Sequence, residues 1–392
     1  MTLRGYCEED RRAVARLAAG SLGGSVEGWE EHYYPEKNPR FDPEQVYVVE
    51  EDGDIRAMAA GLPLEVFVDG EPVLMGGIAD VATHPAYRRR GYAGKLVRAA
   101  LGGMRERSVH LSMLHPFAHA FYRRYGWELA TETISYRLKP TNLPTSPEQK
   151  RVRADRDEDL PWMMALLLEG EASRHPLCVR RGEAYWRTLL EREGTEAAVY
   201  EADGRVKAYL LYGQGEGRNM SRALTVSELI AATPTAREAL VSFMADFDPM
   251  MFEVRYSTPR GEPLHPFLPS SYVEARVGPE FMLRLVNVEG ALGLLQRVSE
   301  APLVLEVEDD EIPENEGPYT VGCSNGNVVR GARAEERVTL DVRQLAQLYA
   351  GYLPARQLVR SGLVKPVSAR ALELLEEFFP SGDPWLFPPD HF

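Results

Sequence analysis

Cysteine is almost absent from this chain. Cys7, Cys178 and Cys323 are the only three in 392 residues. They are odd in number, far apart and at no metal-ligand spacing, which argues against a disulfide framework or a metal site and for a reducing compartment. Long apolar runs are missing too, for no stretch approaches the roughly 18 to 20 residues that a membrane-crossing helix needs. The start, Met1-Thr2-Leu3-Arg4-Gly5, runs into charged residues within a few positions, so no secretory leader is expected. Lysine is scarce: Lys37, Lys95, Lys139, Lys150, Lys207 and Lys365 are the only ones among 45 basic residues. A net charge of -14 argues against nucleic acid as a partner and agrees with cationic ones. The expectation is a cytoplasmic globular protein with no metal, no nucleic acid and no membrane. Its ordinary hydrophobic share, 44%, gives a core to each of the two or three domains the length implies.

Against that acidic background stands Arg88-Arg89-Arg90-Gly91-Tyr92-Ala93-Gly94. It is preceded by the strand-like Ile78-Ala79-Asp80-Val81-Ala82-Thr83 and followed by the helix-like Lys95-Leu96-Val97-Arg98-Ala99-Ala100-Leu101. A strand, a glycine turn and a helix start place unpaired N–H groups and the positive end of a helix dipole together, which suits a pyrophosphate. Glycine lets the backbone come close to it. Neither the Gly-x-x-x-x-Gly-Lys-Ser/Thr loop nor the Gly-x-Gly-x-x-Gly turn occurs, so a P-loop and a dinucleotide fold are excluded. Three successive arginines stand about 100° apart on a helix, so at least one faces solvent.

Along the chain, Glu8 to Leu22 has helical spacing. Apolar runs at 46–50, 55–61, 62–68 and 72–80 are punctuated by Asp52-Gly53 and Asp69-Gly70, which predicts an antiparallel meander ahead of the glycine loop. A strand near 109–114 and a helix near 117–125 follow. Residues 139–150 hold three prolines and read as a linker. The pattern then repeats in outline: a helix over Arg153–Glu169, a hairpin around Asp203-Gly204, a strand over Ala223–Ile230 and a helix from Ala236. The turn before that helix, Ala231-Ala232-Thr233-Pro234-Thr235, has neither glycine nor arginine. From Phe281 the character changes, with strands expected near 303–307 and 338–342, helices at 342–351 and 367–379, and a turn at Asn325-Gly326.

Arg-x-x-Gly-x-Ala after a Val-x-Thr strand end resembles motif A of the GCN5-related N-acetyltransferases. Together with Phe121-Tyr122-Arg123-Arg124-Tyr125-Gly126-Trp127, the strand Val226-Ser227-Glu228-Leu229 and a terminal Phe392, the whole chain resembles the Eis (enhanced intracellular survival) type. That resemblance implies an α+β fold with two acetyltransferase domains in tandem, the second degenerate, followed by a sterol-carrier-protein-like α/β domain. The corresponding boundaries are 1–140, 150–280 and 281–392. It also implies acetyl-CoA as co-substrate, a small-molecule amine as acceptor and a homohexamer.

Transferred residue by residue, the likeness assigns the pantetheine amides to the strand residues Val81, Ala82 and Thr83. The pyrophosphate falls to Arg88, Arg89, Gly91, Tyr92, Ala93 and Gly94. Tyr122 matches the general acid, a phenol able to protonate the departing thiolate. The proton acceptor stays open between Asp80, Glu50, Glu51 and Glu65 and the terminal carboxylate of Phe392, whose aromatic, proline-stiffened approach Trp385–His391 is expected to dock. His115 and His119 lack the glutamate of a metalloprotease helix. Residues 22–45 have no counterpart in the resemblance and are expected at the acceptor rim. The competing reading is a non-catalytic lipid- or small-molecule-binding protein that uses the third domain.

Overall fold

Asp-Gly pairs close three hairpins. Asp52 and Gly53 (φ 55° and 79°), Asp69 and Gly70 (50° and 83°), and Asp203 and Gly204 (54° and 71°) all take the left-handed region at both turn positions. This is the type I′ turn, whose twist matches that of paired strands. The computed structural model describes the chain apart from residues 172–173, 217–221, 248–251, 271–272, 296 and 323–327. The turn expected at Asn325-Gly326 lies outside the described residues, as does Cys323. Residues 1–130, 281–382 and Phe392 pack as one unit, and 131–280 with 383–391 as another.

In the first unit, strands pair in the order Thr2–Gly5, Val46–Glu51, Asp54–Val68, Glu71–Thr83, Leu111–Leu114, Met282–Leu285 and Glu128–Leu129. The runs 55–61 and 62–68 are therefore one strand and not two. Pro63 lies beyond the stretch paired with Val46–Glu51, so its missing N–H breaks no ladder there. Gly61 answers a close approach, since a Cβ at that position would sit 3.1 Å from the Gln45 carbonyl oxygen. The helices Arg11–Leu22 and Tyr92–Glu106 cover the sheet with Val14, Ala15 and Ala18 from one and Leu96, Val97, Ala100 and Leu101 from the other. The same unit carries a five-stranded sheet ordered Val329–Arg330, Gly317–Val321, Leu303–Glu308, Arg337–Asp341 and Val364–Pro366. Its helices Val342–Tyr349 and Ala369–Phe378 start at Asp341 and Ser368, whose side chains accept from the N–H groups of Arg343 and Ala371.

The second unit repeats the first at atomic detail. Arg4 grips Asp10 at 2.6 and 2.9 Å and Glu50 at 2.9 Å, while Arg153 grips Asp159 at 2.6 and 2.9 Å and Glu201 at 2.8 Å. This clamp is why the expected helix over Arg153–Glu169 starts late. Val152–Ala154 is a strand, Asp157–Asp159 a single tight turn, and the helix runs Leu160–Glu171. The sheet is ordered Glu274–Pro279, Glu132–Leu138, Glu253–Pro259, Arg222–Ala231, Arg205–Glu216, Glu196–Ala202 and Val152–Ala154. Two segments thus sit in sheets that the composition seams did not indicate. Residues 132–138 precede the proline-rich stretch yet pair in the second sheet, and 282–285 follow the change of character at Phe281 yet lie inside the first.

Glu280 closes the second unit. Its Oε2 is buried with no hydrogen-bond partner among the described residues, and His391 Nε2 is 3.8 Å away. Burial pushes its carboxyl up to about 7. A folded-state value above the unfolded one means the native chain holds the extra proton, so the stability tied to Glu280 is intact below about pH 4.5 and is lost as pH rises through 7. Glu280→Gln is expected to flatten that slope and to raise stability above pH 7 by about 1–3 kcal/mol, read from urea unfolding at several pH values.

Candidate active site

The candidate donor site lies where the strand Glu71–Thr83 leaves its neighbour. Parallel pairing with Leu111–Leu114 ends at Ile78 opposite Leu114, so on that side Ala79–Thr83 runs on without a partner strand. On the other side the register with Asp54–Val68 slips by one residue between Ala79 and Ala82. This β-bulge puts Asp80 at φ 54°, a strained conformation for a residue other than glycine. The result is an open edge of main-chain groups at Asp80, Val81, Ala82 and Thr83. Ala82 is buried, and Val81 and Thr83 are half-buried.

The chain then bends through the loop to the helix Tyr92–Glu106. Arg89 (φ 62°) and Gly91 (φ 80°) take left-handed conformations, which makes the loop concave, and no side chain caps the helix at Gly91. The first-turn N–H groups at Tyr92, Ala93 and Gly94 have no acceptor within the helix. A Cβ at Gly94 would lie 2.3 Å from the Tyr125 hydroxyl, so only glycine lets the helix start pack against that ring. The three arginines lie in the loop before the helix and not on it, so the 100° spacing expected of them does not apply, and all three are exposed. Arg88 and Arg89 are exposed, with Arg88 Nε donating to the Thr83 carbonyl at 3.3 Å. Arg90 lies over the Tyr87 ring at 4.6 Å and beside Glu51 at 3.4 Å. The hydroxyl of buried Tyr92 donates to Glu51 at 2.7 Å.

The second unit keeps this frame and closes it. Pairing of Arg222–Ala231 with Glu253–Pro259 again stops partway, at Val226, and a bulge again follows, at Ser227. Its helix Pro234–Ala245, however, is capped by Thr233, whose Oγ1 accepts from Ala236 N at 3.2 Å, and Pro234 removes a further N–H. Glu228 is fully enclosed. It accepts from Arg181 at 2.9 Å and from the Tyr209 hydroxyl at 2.6 Å, and Arg181 also holds Asp390 at 2.7–3.0 Å. A cavity of about 340 Å³ remains beside Glu228 and Thr233, walled in part by Trp385 and Phe387. The terminal peptide is therefore docked and does not fray.

Tyr122 lies on the short helix His119–Arg123, only 2% exposed, in one apolar cluster with Ile78, Leu114, Tyr125 and Trp127 and with Val81 at its margin. Burial pushes its phenol above the ordinary tyrosine range, so it stays protonated throughout neutral pH. Phe392 lies against the motif strand, where a Cβ at Gly77 would come 2.9 Å from its ring, and its ring centroid is 5.2 Å from that of Phe281. Of the other acids, Glu50 is held by Arg4 and Glu51 by Tyr92 and Arg90, while Glu65 is exposed. Asp80 accepts from the Tyr33 hydroxyl at 3.2 Å and lies 3.3 Å from His32 Nε2. His115 packs on Phe281, and among the described residues no cluster of metal-ligating side chains occurs. Sequence reading did not single out His32 and Tyr33, the two side chains that reach Asp80. The signal was there in Trp29, His32 and Tyr33, aromatic at i, i+3 and i+4 after the capping Ser25.

Comparison with known proteins agrees with this geometry. Residues 2–130 and 177–285 each match an acetyltransferase (GNAT) domain, and 288–387 match a sterol carrier protein domain. An uncharacterised N-acetyltransferase of Streptomyces griseus is 28% identical over 352 residues, 83% of each chain. A second, from Streptomyces avermitilis, is 27% identical over 350 residues, 83% of this chain and 82% of its own. Among solved structures, a GCN5-related N-acetyltransferase from Anabaena variabilis superposes with a TM-score of 0.88 at 22% identity, and Eis1 from Mycobacterium abscessus with 0.79 at 20%. Both matches cover 100% of each chain. GNAT acetyltransferases use acetyl-CoA, and no helix among the described residues is long and apolar enough to cross a membrane. With two GNAT domains followed by a sterol carrier protein domain, the chain is an acetyltransferase of the GCN5-related fold, in keeping with its Eis-type resemblance.

Proposed function

We propose that the protein moves the acetyl group of acetyl-CoA directly onto an amine of a cationic small molecule, aminoglycoside-like or polyamine-like, in a ternary complex. One observation carries the reading: the helix N-terminus at Gly91 is uncapped and lies next to the open edge of Ala79–Thr83. In this reading Val81, Ala82 and Thr83 hold the pantetheine amides, and Arg88, Arg89 and Gly91–Gly94 hold the pyrophosphate. Their main-chain donors also steady the oxyanion of the tetrahedral adduct. Tyr122 gives its proton to the departing sulfur. The capped helix at Thr233 supports a division of labour in which 1–140 acts, 150–280 is a degenerate copy and 281–392 is the sterol-carrier domain. A homohexamer in the cytoplasm completes the proposal. Two acids then remain as candidate proton acceptors, Asp80 on the motif strand and the terminal carboxylate of Phe392, whose ring lies against that strand.

Ala93→Pro tests the donor site. Proline is tolerated in the first turn of a helix, so the fold should stand while one outward N–H disappears. Acetyl-CoA is expected to bind about 10- to 100-fold more weakly by calorimetry, the loss of one hydrogen bond to a charged group. Unchanged affinity would place the cofactor elsewhere.

A further inference from the structure

Tyr122 is aimed by its backbone. Among the described residues nothing hydrogen-bonds its hydroxyl, and the helix that carries it, His119–Arg123, is five residues long with no side-chain cap. So short a helix does not hold itself. It is closed by the turn after it, where the Tyr122 carbonyl accepts from Tyr125 N at 2.9 Å and Trp127 N at 3.3 Å, and Gly126 takes the left-handed region at φ 86°. Gly126 lies against a guanidinium: a Cβ there would sit 2.5 Å from Arg284 Nη1 and 2.8 Å from its Nε. Arg284 is wholly enclosed on the strand Met282–Leu285, and both of those nitrogens lack a hydrogen-bond partner among the described residues. Its Nη2 is held by the two oxygens of Asp309, at 2.9 and 2.6 Å. Asp309 is fixed in turn by the N–H groups of Glu311 and Ile312 and by the Asn315 amide at 2.9 Å. Burial pulls the guanidinium below the ordinary arginine range, and Asp309 is the main group opposing it. Apolar side chains would fill such a site without that penalty. A buried guanidinium with two unsatisfied nitrogens therefore calls for a reason beyond packing.

The turn that carries Asp309 reaches the surroundings of Tyr122 twice more. Glu311 pairs with Arg98 at 2.5 and 3.0 Å, and Arg98 lies over the Tyr125 ring at 5.0 Å. Ile312 packs in the cluster that holds Tyr122, Tyr125 and Trp127. Asp309, Glu311 and Ile312 all belong to the stretch that matches a sterol carrier protein domain. We propose that this domain positions the acid: residues 309–312, acting through Arg284 and Arg98, fix the turn that aims Tyr122, and Arg284 is a positioning residue of the transfer; the proposal rests on Tyr122 being the acid in the reading above. Without the brace the turn at Gly126 is free to open. The phenol then drifts from the departing sulfur and meets water.

Thiol release from acetyl-CoA, with spermidine or kanamycin as acceptor, tests it in the wild-type and Tyr122→Phe backgrounds. Arg284→Met with Asp309→Asn removes the pair together and leaves no buried charge unmatched. In the wild-type background it should lower kcat about 10- to 100-fold with the KM for acetyl-CoA unchanged, the effect of a misplaced group. It should also give kcat a falling limb as pH rises through about 10, since a phenol open to water ionises in the ordinary tyrosine range. In the Tyr122→Phe background the same replacement should lower kcat less than about twofold, because no acid is left to misplace. Arg98→Gln, at an exposed position that leaves the core alone, should show the same pattern at about two- to fivefold. An equal loss in both backgrounds, the mark of a structural role, overturns the proposal, and so does wild-type kcat in the pair replacement. Wild-type kcat in Tyr122→Phe, or a wild-type protein inert toward both acceptors, removes the reading beneath it, and either result is separable from the two before.

Discussion

Replacing Tyr122 with phenylalanine is expected to lower kcat for thiol release about 100- to 10,000-fold while leaving the KM for acetyl-CoA nearly unchanged. The ring packs edge-on against Phe121 at 5.0 Å and Trp127 at 6.4 Å, contacts that phenylalanine keeps. What disappears is a hydroxyl whose proton burial retains. A phenol with a raised pKa is a reluctant acid toward water but a sufficient one toward a thiolate set free beside it. The direction of the shift has a further readout. Because the folded-state value lies above that of free tyrosine, turnover should not fall as pH rises through 10, whereas an unshifted tyrosine would lose its proton there. A Tyr122→Phe enzyme with wild-type kcat would assign the acid to another group.

Arg181→Met should be the most destabilising single change, costing about 3–5 kcal/mol in chemical unfolding. The guanidinium is wholly enclosed and is the cation between two enclosed carboxylates, Glu228 and Asp390, with its plane over Trp186 at 4.8 Å. Burial already pushes the Glu228 carboxyl above its ordinary value despite the arginine, so removing the cation leaves both acids holding protons in the folded state only. The native state then binds more protons than the unfolded one, and the defect grows as pH rises above the ordinary carboxylate range. Adding Glu228→Gln and Asp390→Asn to Arg181→Met should recover much of the loss, since it is the unpaired charges that cost most. A stability within 1 kcal/mol of wild type for the single variant would mean that water or rearrangement reaches these acids, and that the tail is held by Trp385 and Phe387 alone.

Much of the candidate donor side was legible because it depends on local order. Two Asp-Gly turns, a strand, a glycine loop and an apolar helix face follow one another in the chain, and each acts within a few residues of itself. Arg88-Arg89-Arg90 was read as the start of the helix, whereas all three precede it in the loop, because the left-handed turn at Arg89 and Gly91 delays the helix to Tyr92. The missing cap was legible by contrast, for Thr233-Pro234 is itself a cap signature. The surroundings of Asp80 were not legible. The contact of Asp80 with Tyr33 joins positions 47 residues apart, and the strain at Asp80 arises from a register slip that no periodicity reveals. The repeated clamp could have been found from the spacing alone, since Arg4 and Asp10 stand as far apart as Arg153 and Asp159. What hid it was the helical look of Arg153–Glu169. Sheet membership of 132–138 and 282–285 is a matter of hydrogen-bonded partners far along the chain, where composition gives no lead.

The placement of Met282–Leu285 also sets an order of events during synthesis. Leu111–Leu114 and Glu128–Leu129 have left the ribosome long before the strand that pairs with both. At about 5–20 residues per second, the nascent chain waits roughly 10–30 s with that seam unfilled. Through the wait, two strand edges stand unpaired, open to any extended peptide. A gene cut after residue 130 would make the gap permanent. Such a truncated product should aggregate, however completely it spans the residues proposed to carry the chemistry.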